Sequence, residues 1–400
     1  MKNLSFFAAC FLLVSGTLAA KKDAKAVAPA TASAPPSGPA SSAAAPAASS
    51  AASAAPPAAS SAPAGGALPP GSVAGYPPPD KVPPTDSPEV QAWLKLVDFS
   101  KVPTLPLSKN GECANSVVDP NACWWTCQKC TRPEDIVYCP KTSQWGLTYD
   151  DGPTVHTPQL LDYLKQNNIK STMFVVGSRV IQNPDVLRRE YAEGHHIAVH
   201  TWSHSPLTSL TNEQIVAEVK WTEKAIKDTI GVTPVYMRPP YGDYDDRVRA
   251  IMKQLGYKTV IWTDGFDTQD WQIPAGQVTT QQVIGNFSNW LPKIQSMQTG
   301  FIVLEHDLYP QTVQIAIQNI LPAAIQNKLQ MMPVPQCIGD GSPYLELLGQ
   351  GNTTLPGGQK SGNPSSAPGG STFKVSGASS TVSGKAMLAL AVAAAFSIFA

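Results

Sequence analysis

The chain has 400 residues, of which only 14% are charged and 38 are proline, against roughly 25% charged and about 5% proline in an ordinary soluble domain. Lys+Arg and Asp+Glu balance at 29 each with no basic tract, which excludes the electrostatic footprint of a nucleic-acid binder or a polybasic membrane-surface protein. The 29 glycines follow no three-residue period, which excludes collagen.

In chain order, residues 1–20 carry Lys2, an apolar run from Phe6 to Val14 and small residues before Lys21. That is the layout of a secretory signal peptide, with an apolar run too short to span a bilayer. Residues 21–80, dominated by Ala, Pro and Ser, read as an extended linker or stalk. Residues 81–138 form an N-terminal extension with a cysteine-rich loop, 139–337 the folded core, and 338–377 a Gly/Ser/Thr-rich linker. Residues 378–400 end in an apolar tail from Ala386 and read as a removed GPI-attachment propeptide, with Ser376 as the attachment residue. A short tail-anchoring helix is the alternative.

With Cys10 removed in the leader, six cysteines remain. In an oxidising compartment disulfides are expected, rather than half a zinc ribbon at Cys127-x-x-Cys130. Cys139 and Cys337 bracket the core and are expected to join, while Cys113, Cys123, Cys127 and Cys130 staple the preceding loop. Asn286-Phe-Ser and Asn352-Thr-Thr are N-glycosylation sequons.

Within the core, strand and helix patterns alternate. Strands are expected over 144–149, 171–176, 196–201, 235–238, 258–263 and 301–306. Helices are expected over 158–166, 184–193, 212–230, 245–255, 280–294 and 312–328. This alternation predicts an α/β fold: a distorted, incomplete (β/α) barrel of parallel strands with six or seven βα units. A doubly wound open sheet is the alternative, but the first strand ends in Asp150-Asp151-Gly152-Pro153 and not in a glycine-rich phosphate loop.

Polar, reactive residues follow nearly every strand, where a barrel gathers its active site. They are Asp150 and Asp151, then His200 and His204, then Arg238 and Tyr241, then Asp267 and Asp270, and finally His306. Each has a bland reading: Asp-Asp-Gly-Pro is a common turn, and His-x3-His is often two unrelated imidazoles. Three of the six histidines in the chain nevertheless fall at strand ends. Two imidazoles four apart on one helical turn, plus a carboxylate, suit Zn²⁺ with an open position. There a bound water's pKa falls from 15.7 to about 7. Thr201 stands where a His-Glu-x-x-His metalloprotease has its glutamate, so the base must lie elsewhere. A non-haem iron site uses the same donor set.

Thr148-Tyr-Asp-Asp-Gly-Pro, His200-Thr-Trp-Ser-His204, Arg238-Pro-Pro-Tyr-Gly, Asp267-Thr-Gln-Asp-Trp271 and Leu304-Glu-His306 resemble, in order, the five motifs of the NodB-like polysaccharide deacetylases, carbohydrate esterase family four. With its leader, stalk and tail, the chain is similar to GPI-anchored fungal chitin deacetylases. It departs at Tyr149, where the family often has Phe, and in the unassigned stretch Cys113 to Cys130. The resemblance implies one divalent metal, Zn with Co or Mn as substitutes, held by Asp151, His200 and His204. It implies Asp150 as general base, steered by Arg238, and His306 as general acid, oriented by Asp270 or Asp267. It implies the Tyr241 amide at the oxyanion, and Trp271 and Leu304 around the acetyl methyl; ordinary core is the bland reading of those two.

The implied activity is hydrolysis of N-acetyl groups on chitin or another N-acetylglucosamine polymer, giving chitosan and acetate in the cell-wall matrix. The membrane is reached only through the GPI lipid, at the outer face of the plasma membrane; no nucleic acid is involved and no partner protein is inferred. An acetylxylan esterase shares this machinery, and a non-catalytic chitin-binding wall mannoprotein is the alternative of another class.

Overall fold

The computed structural model describes residues 73–348. The leader, most of the Ala/Pro/Ser stretch, Asn352, Ser376 and the apolar tail lie outside them. In chain order the elements are α1 (Pro88–Leu94), α2 (Trp125–Gln128), β1 (Gln144–Gly146), β2 (Thr148–Asp150), α3 (Thr157–Gln166), β3 (Thr172–Val175), α4 (Gly177–Gln182), α5 (Pro184–Ala192) and β4 (His196–Val199). There follow α6 (Asn212–Ile230), β5 (Tyr236–Met237), α7 (Asp246–Leu255), β6 (Lys258–Thr259), α8 (Thr280–Ser296), β7 (Phe301–Ile302), α9 (Pro310–Ile315), α10 (Leu321–Gln326), β8 (Gln330–Met332) and α11 (Val334–Ile338).

Every ladder between these strands is parallel, in two sheets ordered β2-β3-β4-β5-β6 and β7-β1-β8. β3 and β4 are buried along their whole length, as parallel strands covered on both faces must be. The expected strand over 144–149 is one extended run that changes partners. Trp145 pairs with Phe301 and Met331, whereas Thr148 to Asp150 pair with Thr172 to Phe174. Parallel bridges Asp150–His306 and Asp267–Leu304 link the sheets further along. The expected barrel of parallel strands is therefore present, built from two sheets that share one strand run.

Helix α6 starts and stops where its sequence signals lie. Thr211 and Gln214 form a capping box, and Gly231 ends the helix in the left-handed region. Helix α4 is unforeseen because it is six residues long and no side chain caps it. The helix expected over 312–328 runs from Pro310 to Gln326 with a π segment at Ala316–Ile320. Pro322 has no N–H to donate to the preceding turn, which explains the widening.

The boundaries drawn at 80 and 337 need correction. Tyr76 stacks on Trp202 at 5.9 Å, and the Trp202 indole N–H donates to the Pro78 carbonyl at 3.0 Å. Tyr344 is fully buried, and its hydroxyl accepts the Ile197 N–H at 2.9 Å. Single aromatic residues extend the packed unit at both ends, and a composition average does not register them.

Cys113–Cys127, Cys123–Cys130 and Cys139–Cys337 are bonded. The last closes a loop with a sequence separation of 198, and chain entropy alone assigns a bridge of that span about 5 kcal/mol. Cys337→Ser is expected to lower the unfolding free energy by roughly 3–5 kcal/mol in urea titrations. A loss below about 1 kcal/mol would show that the cross-link contributes little.

Candidate active site

A cleft of about 560 Å³ opens at the C-terminal ends of the strands, and Asp150, Asp151, His200, His204, Tyr241 and His306 are among its lining residues. β2 ends at Asp150, and His200 directly follows β4. Several of these side chains stand on unusual backbone: Asp151, Thr201, His204 and Tyr241 have φ of 80, 66, 59 and 60°. Non-glycine residues in the left-handed region cost roughly 1–3 kcal/mol each and cluster at functional sites. The His200–His204 segment is accordingly a strained loop and not the expected helical turn; the Thr201 and Trp202 carbonyls accept from Gly177 and Ser178 of α4 at 2.9 and 3.2 Å.

Asp151, His200 and His204 offer one ligand atom each, all within 4.8 Å of one another. Asp151 Oδ1 lies 3.0 Å from His204 Nε2 and 3.5 Å from His200 Nε2, and it is buried with no hydrogen-bond partner among the described residues. The other ring nitrogens are engaged: His200 Nδ1–H donates to the Arg238 carbonyl at 2.7 Å, and His204 Nδ1 meets the Tyr241 hydroxyl at 3.2 Å. The Nε2 atoms of both rings therefore face one buried carboxylate oxygen. Burial, with the neighbouring His204, holds His200 well below its usual range and so neutral, as ligation requires. Burial acts to raise Asp151, but the charge of His204 leads the opposing effects and holds it well below the usual carboxylate range. Two imidazoles and a carboxylate so arranged fit a divalent metal ion. Outer-shell partners of ligating histidines are worth roughly 10–100-fold in metal affinity. Tyr241→Phe is therefore expected to weaken metal binding about tenfold in chelator-competition titrations, and unchanged affinity would remove the hydroxyl from that role.

Asp150 and His306 sit beside this triad. Asp150 Oδ1 accepts from Arg238 Nη1 at 2.7 Å, and the same nitrogen donates to Thr148 Oγ1 at 2.9 Å. Burial raises the Asp150 carboxyl to about 6, against the opposing charges of Arg238 and His306. His306 Nδ1–H donates to Asp270 Oδ1 at 2.7 Å, and its backbone N–H donates to Asp270 Oδ2 at 3.0 Å. Burial acts to lower His306, yet the charge and hydrogen bond of Asp270, with Asp151 and Asp150, raise it to about 10. Of the two aspartates left open by the sequence, Asp270 is the one bonded to His306, whereas Asp267 accepts the Gln269 N–H at 2.8 Å. Trp271 is half exposed in the cleft and Leu304 is buried in its wall. Asn286 lies on α8, where its side-chain nitrogen donates to the Thr268 carbonyl and Gln269 Oε1 at 3.2 and 3.3 Å. A glycan on that nitrogen would leave one proton for two acceptors.

Other residues at the site were not foreseen. Glu218 on α6 is fully buried and accepts the Trp202 and Ser203 N–H groups at 2.8 and 2.9 Å, holding the histidine loop. Burial lifts its carboxyl to about 7 against hydrogen bonds from Ser203 and Trp202. An acid in phase with Ile215 and Thr222 on the buried face of α6 was the available signal. Arg179 on α4 donates to the Asp151 carbonyl at 2.7 Å. Asp307 fills the turn beneath, accepting from Thr157, and a Cβ on Gly152 would fall 2.5 Å from its Oδ2; glycine alone fits there. His195 and His196 are buried, and burial first lowers both to about 3. They act as neutral core residues, bonded to Ser171 and Thr172.

The polysaccharide deacetylase family model matches residues 138–260. Chitin deacetylase 2 of Saccharomyces cerevisiae is 39% identical over 258 residues, covering 63% of this chain and 75% of that protein. The chain belongs to the polysaccharide deacetylase family. Within that family, chitin deacetylase 1 of Cryptococcus neoformans var. grubii is 48% identical over 297 residues, or 71% of this chain. The match spans 63% of that relative's length, just under two thirds. Among solved structures of polysaccharide deacetylases, the chitin deacetylase from Colletotrichum lindemuthianum matches at 33% identity with a TM-score of 0.49, over 52% of this chain and 94% of that one.

Proposed function

We propose that this polysaccharide deacetylase hydrolyses N-acetyl groups of chitin, releasing acetate and leaving glucosamine units. The observation that carries the reading is the placement of a carboxylate base and an imidazolium acid, each with its own buried partner, beside three converging ligand atoms. The relatives among chitin deacetylases of two fungi, Cryptococcus neoformans and Saccharomyces cerevisiae, support the choice of substrate.

Zn²⁺ suits the Asp151, His200 and His204 donor set, and when bound it supplies Lewis-acid polarisation of the amide carbonyl and a more acidic water. Asp150, ionised above about 6, takes a proton as the water oxygen bonds to the acetyl carbon. Arg238 holds one Asp150 oxygen so that the other is presented. The carbon–nitrogen bond then breaks, and His306 gives its Nε2 proton to the departing nitrogen. The hydroxyl leaves on the acetyl carbon as acetic acid, so atoms and protons balance. The Tyr241 amide donates to the developing oxyanion, and Trp271 and Leu304 enclose the methyl.

Acetate release is expected from chitin oligomers, abolished by chelation and restored by Zn²⁺. Release from acetylated xylan alone would overturn the choice of substrate, and release untouched by chelation would overturn the role of the metal. The proposal includes delivery through the secretory route to a GPI anchor at Ser376 on the outer plasma membrane and in the cell wall. It is supported by the patterns of both end segments and by three disulfides, which persist in oxidising compartments. Phosphatidylinositol-specific phospholipase C is expected to release the protein from intact cells.

A further inference from the structure

The cysteine-rich stretch lies outside the family match at 138–260, yet Trp125, Thr126 and Lys129 line the same cleft as Asp150 and the histidines. Two disulfides, Cys113–Cys127 and Cys123–Cys130, close it into a compact loop around α2. That loop is docked on the turn that follows Arg238. The Trp124 indole N–H donates to Asp243 Oδ1 at 2.7 Å, the Trp125 N–H to the Tyr244 carbonyl at 3.0 Å, and Arg249 Nη1 to the Cys123 carbonyl at 2.6 Å. A Cβ on Gly242 would meet the Trp125 ring at 2.5 Å, so the indole lies directly against the backbone next to Tyr241.

Trp125 itself is buried, with Trp262 at its edge and Lys129 Nζ 3.9 Å from its ring centroid. What this wall presents to the cleft is the exposed Lys129. The lysine caps α2 at φ 49°, a left-handed position that ordinarily takes glycine. Among the described residues no carboxylate lies within ion-pair distance of it. Asp267, the lining carboxylate outside the reacting groups, is engaged by the Gln269 N–H. A polymer in the cleft therefore meets a cation without an ion-pair partner among the described residues, held on an aromatic ring and braced on both sides by disulfides.

We propose that Lys129 sets the acetylation state of the polymer the cleft accepts: its ammonium repels glucosamine units next to the reacting residue and tolerates uncharged N-acetylglucosamine. The inference rests on the chitin reading above. Two like charges roughly 7–10 Å apart change binding by about twofold to threefold at the dielectric constant of water and by more than about tenfold at the lower effective value of a protein surface, and salt weakens the effect.

The test compares kcat/KM for a fully acetylated chitin pentamer and for partly deacetylated pentamers, at a pH where free amines are protonated. Wild-type protein is expected to prefer the acetylated pentamer. Lys129→Gly, which removes the side chain from a backbone conformation glycine adopts freely, is expected to reduce that preference about threefold to tenfold with no fall in Tm. Lys129→Arg is expected to retain it, and high salt to diminish it in the wild type only. A preference unchanged in a folded Lys129→Gly protein overturns the role of the lysine while leaving the deacetylase reading intact. No acetate from the fully acetylated pentamer with wild-type protein overturns that reading itself, and this inference with it.

Discussion

Asp150→Asn is expected to lower kcat by roughly two to four orders of magnitude, the range over which a positioned general base acts. The substitution keeps the shape of the side chain and removes its ability to hold a proton. It leaves Asp151, His200 and His204 in place, so metal titration should still find one site. Stability should fall as well. Arg238 is fully buried, and Asp150 is its ion-pair partner at 2.7 Å. Breaking a buried pair from one side typically costs about 3–5 kcal/mol, here softened by the second acceptor, Thr148 Oγ1 at 2.9 Å. The activity loss must therefore be read on protein shown to be folded at the assay temperature. In the wild type, the acid limb of kcat/KM should fall at or below about 6, the value to which burial raises Asp150, because a bound cation favours the ionised form. A kcat within tenfold of wild type in the folded variant would remove Asp150 from the role of base.

The reacting groups were legible because they fall at a strand end or within a few residues of one in sequence, and parallel strands carry all such positions to one end of the sheet. Asp150 closes β2 and His200 follows β4, so local order along the chain was enough to gather them. Support from other elements was not legible in this way. Glu218 reaches the histidine loop from the middle of α6, and Arg179 reaches Asp151 from a helix too short to announce itself. Both depend on how two helices pack, which periodicity alone does not specify. The strained backbone at Thr201 and His204 was likewise hidden, since a β-branched threonine disfavours left-handed geometry and histidine, though enriched there, adopts it only uncommonly. The same is true of the disulfide loop: its cysteines were countable, but its position against Gly242 follows from tertiary packing.

Asp270→Asn is expected to move the alkaline limb of kcat/KM down by about one to three pH units, the range of a lost neighbouring charge. The sign follows from what holds the proton. Burial favours neutral His306, and Asp270, with lesser help from Asp151 and Asp150, reverses that and raises it to about 10. Metal ligation by Asp151 removes part of its contribution, so the limb in the loaded wild type lies somewhat below that value. With Asp270 neutralised, burial prevails and His306 loses its proton at lower pH. At pH 8 the leaving nitrogen then lacks its donor, and kcat should fall roughly tenfold to a thousandfold, recovering in part toward acid pH. Stability carries the same signature. A raised imidazole pKa stabilises the fold fully below the unfolded value of roughly 6.5 and loses that contribution as pH rises through about 10. The Tm difference between wild type and Asp270→Asn should therefore be largest near pH 6 and narrow toward pH 10. Asp267→Asn is the matched control. Its carboxylate accepts a backbone N–H from Gln269 and makes no hydrogen bond to the ring, so the limb should move far less. Equal displacement by both variants would mean that long-range charge, and not the 2.7 Å contact with Asp270, keeps His306 protonated.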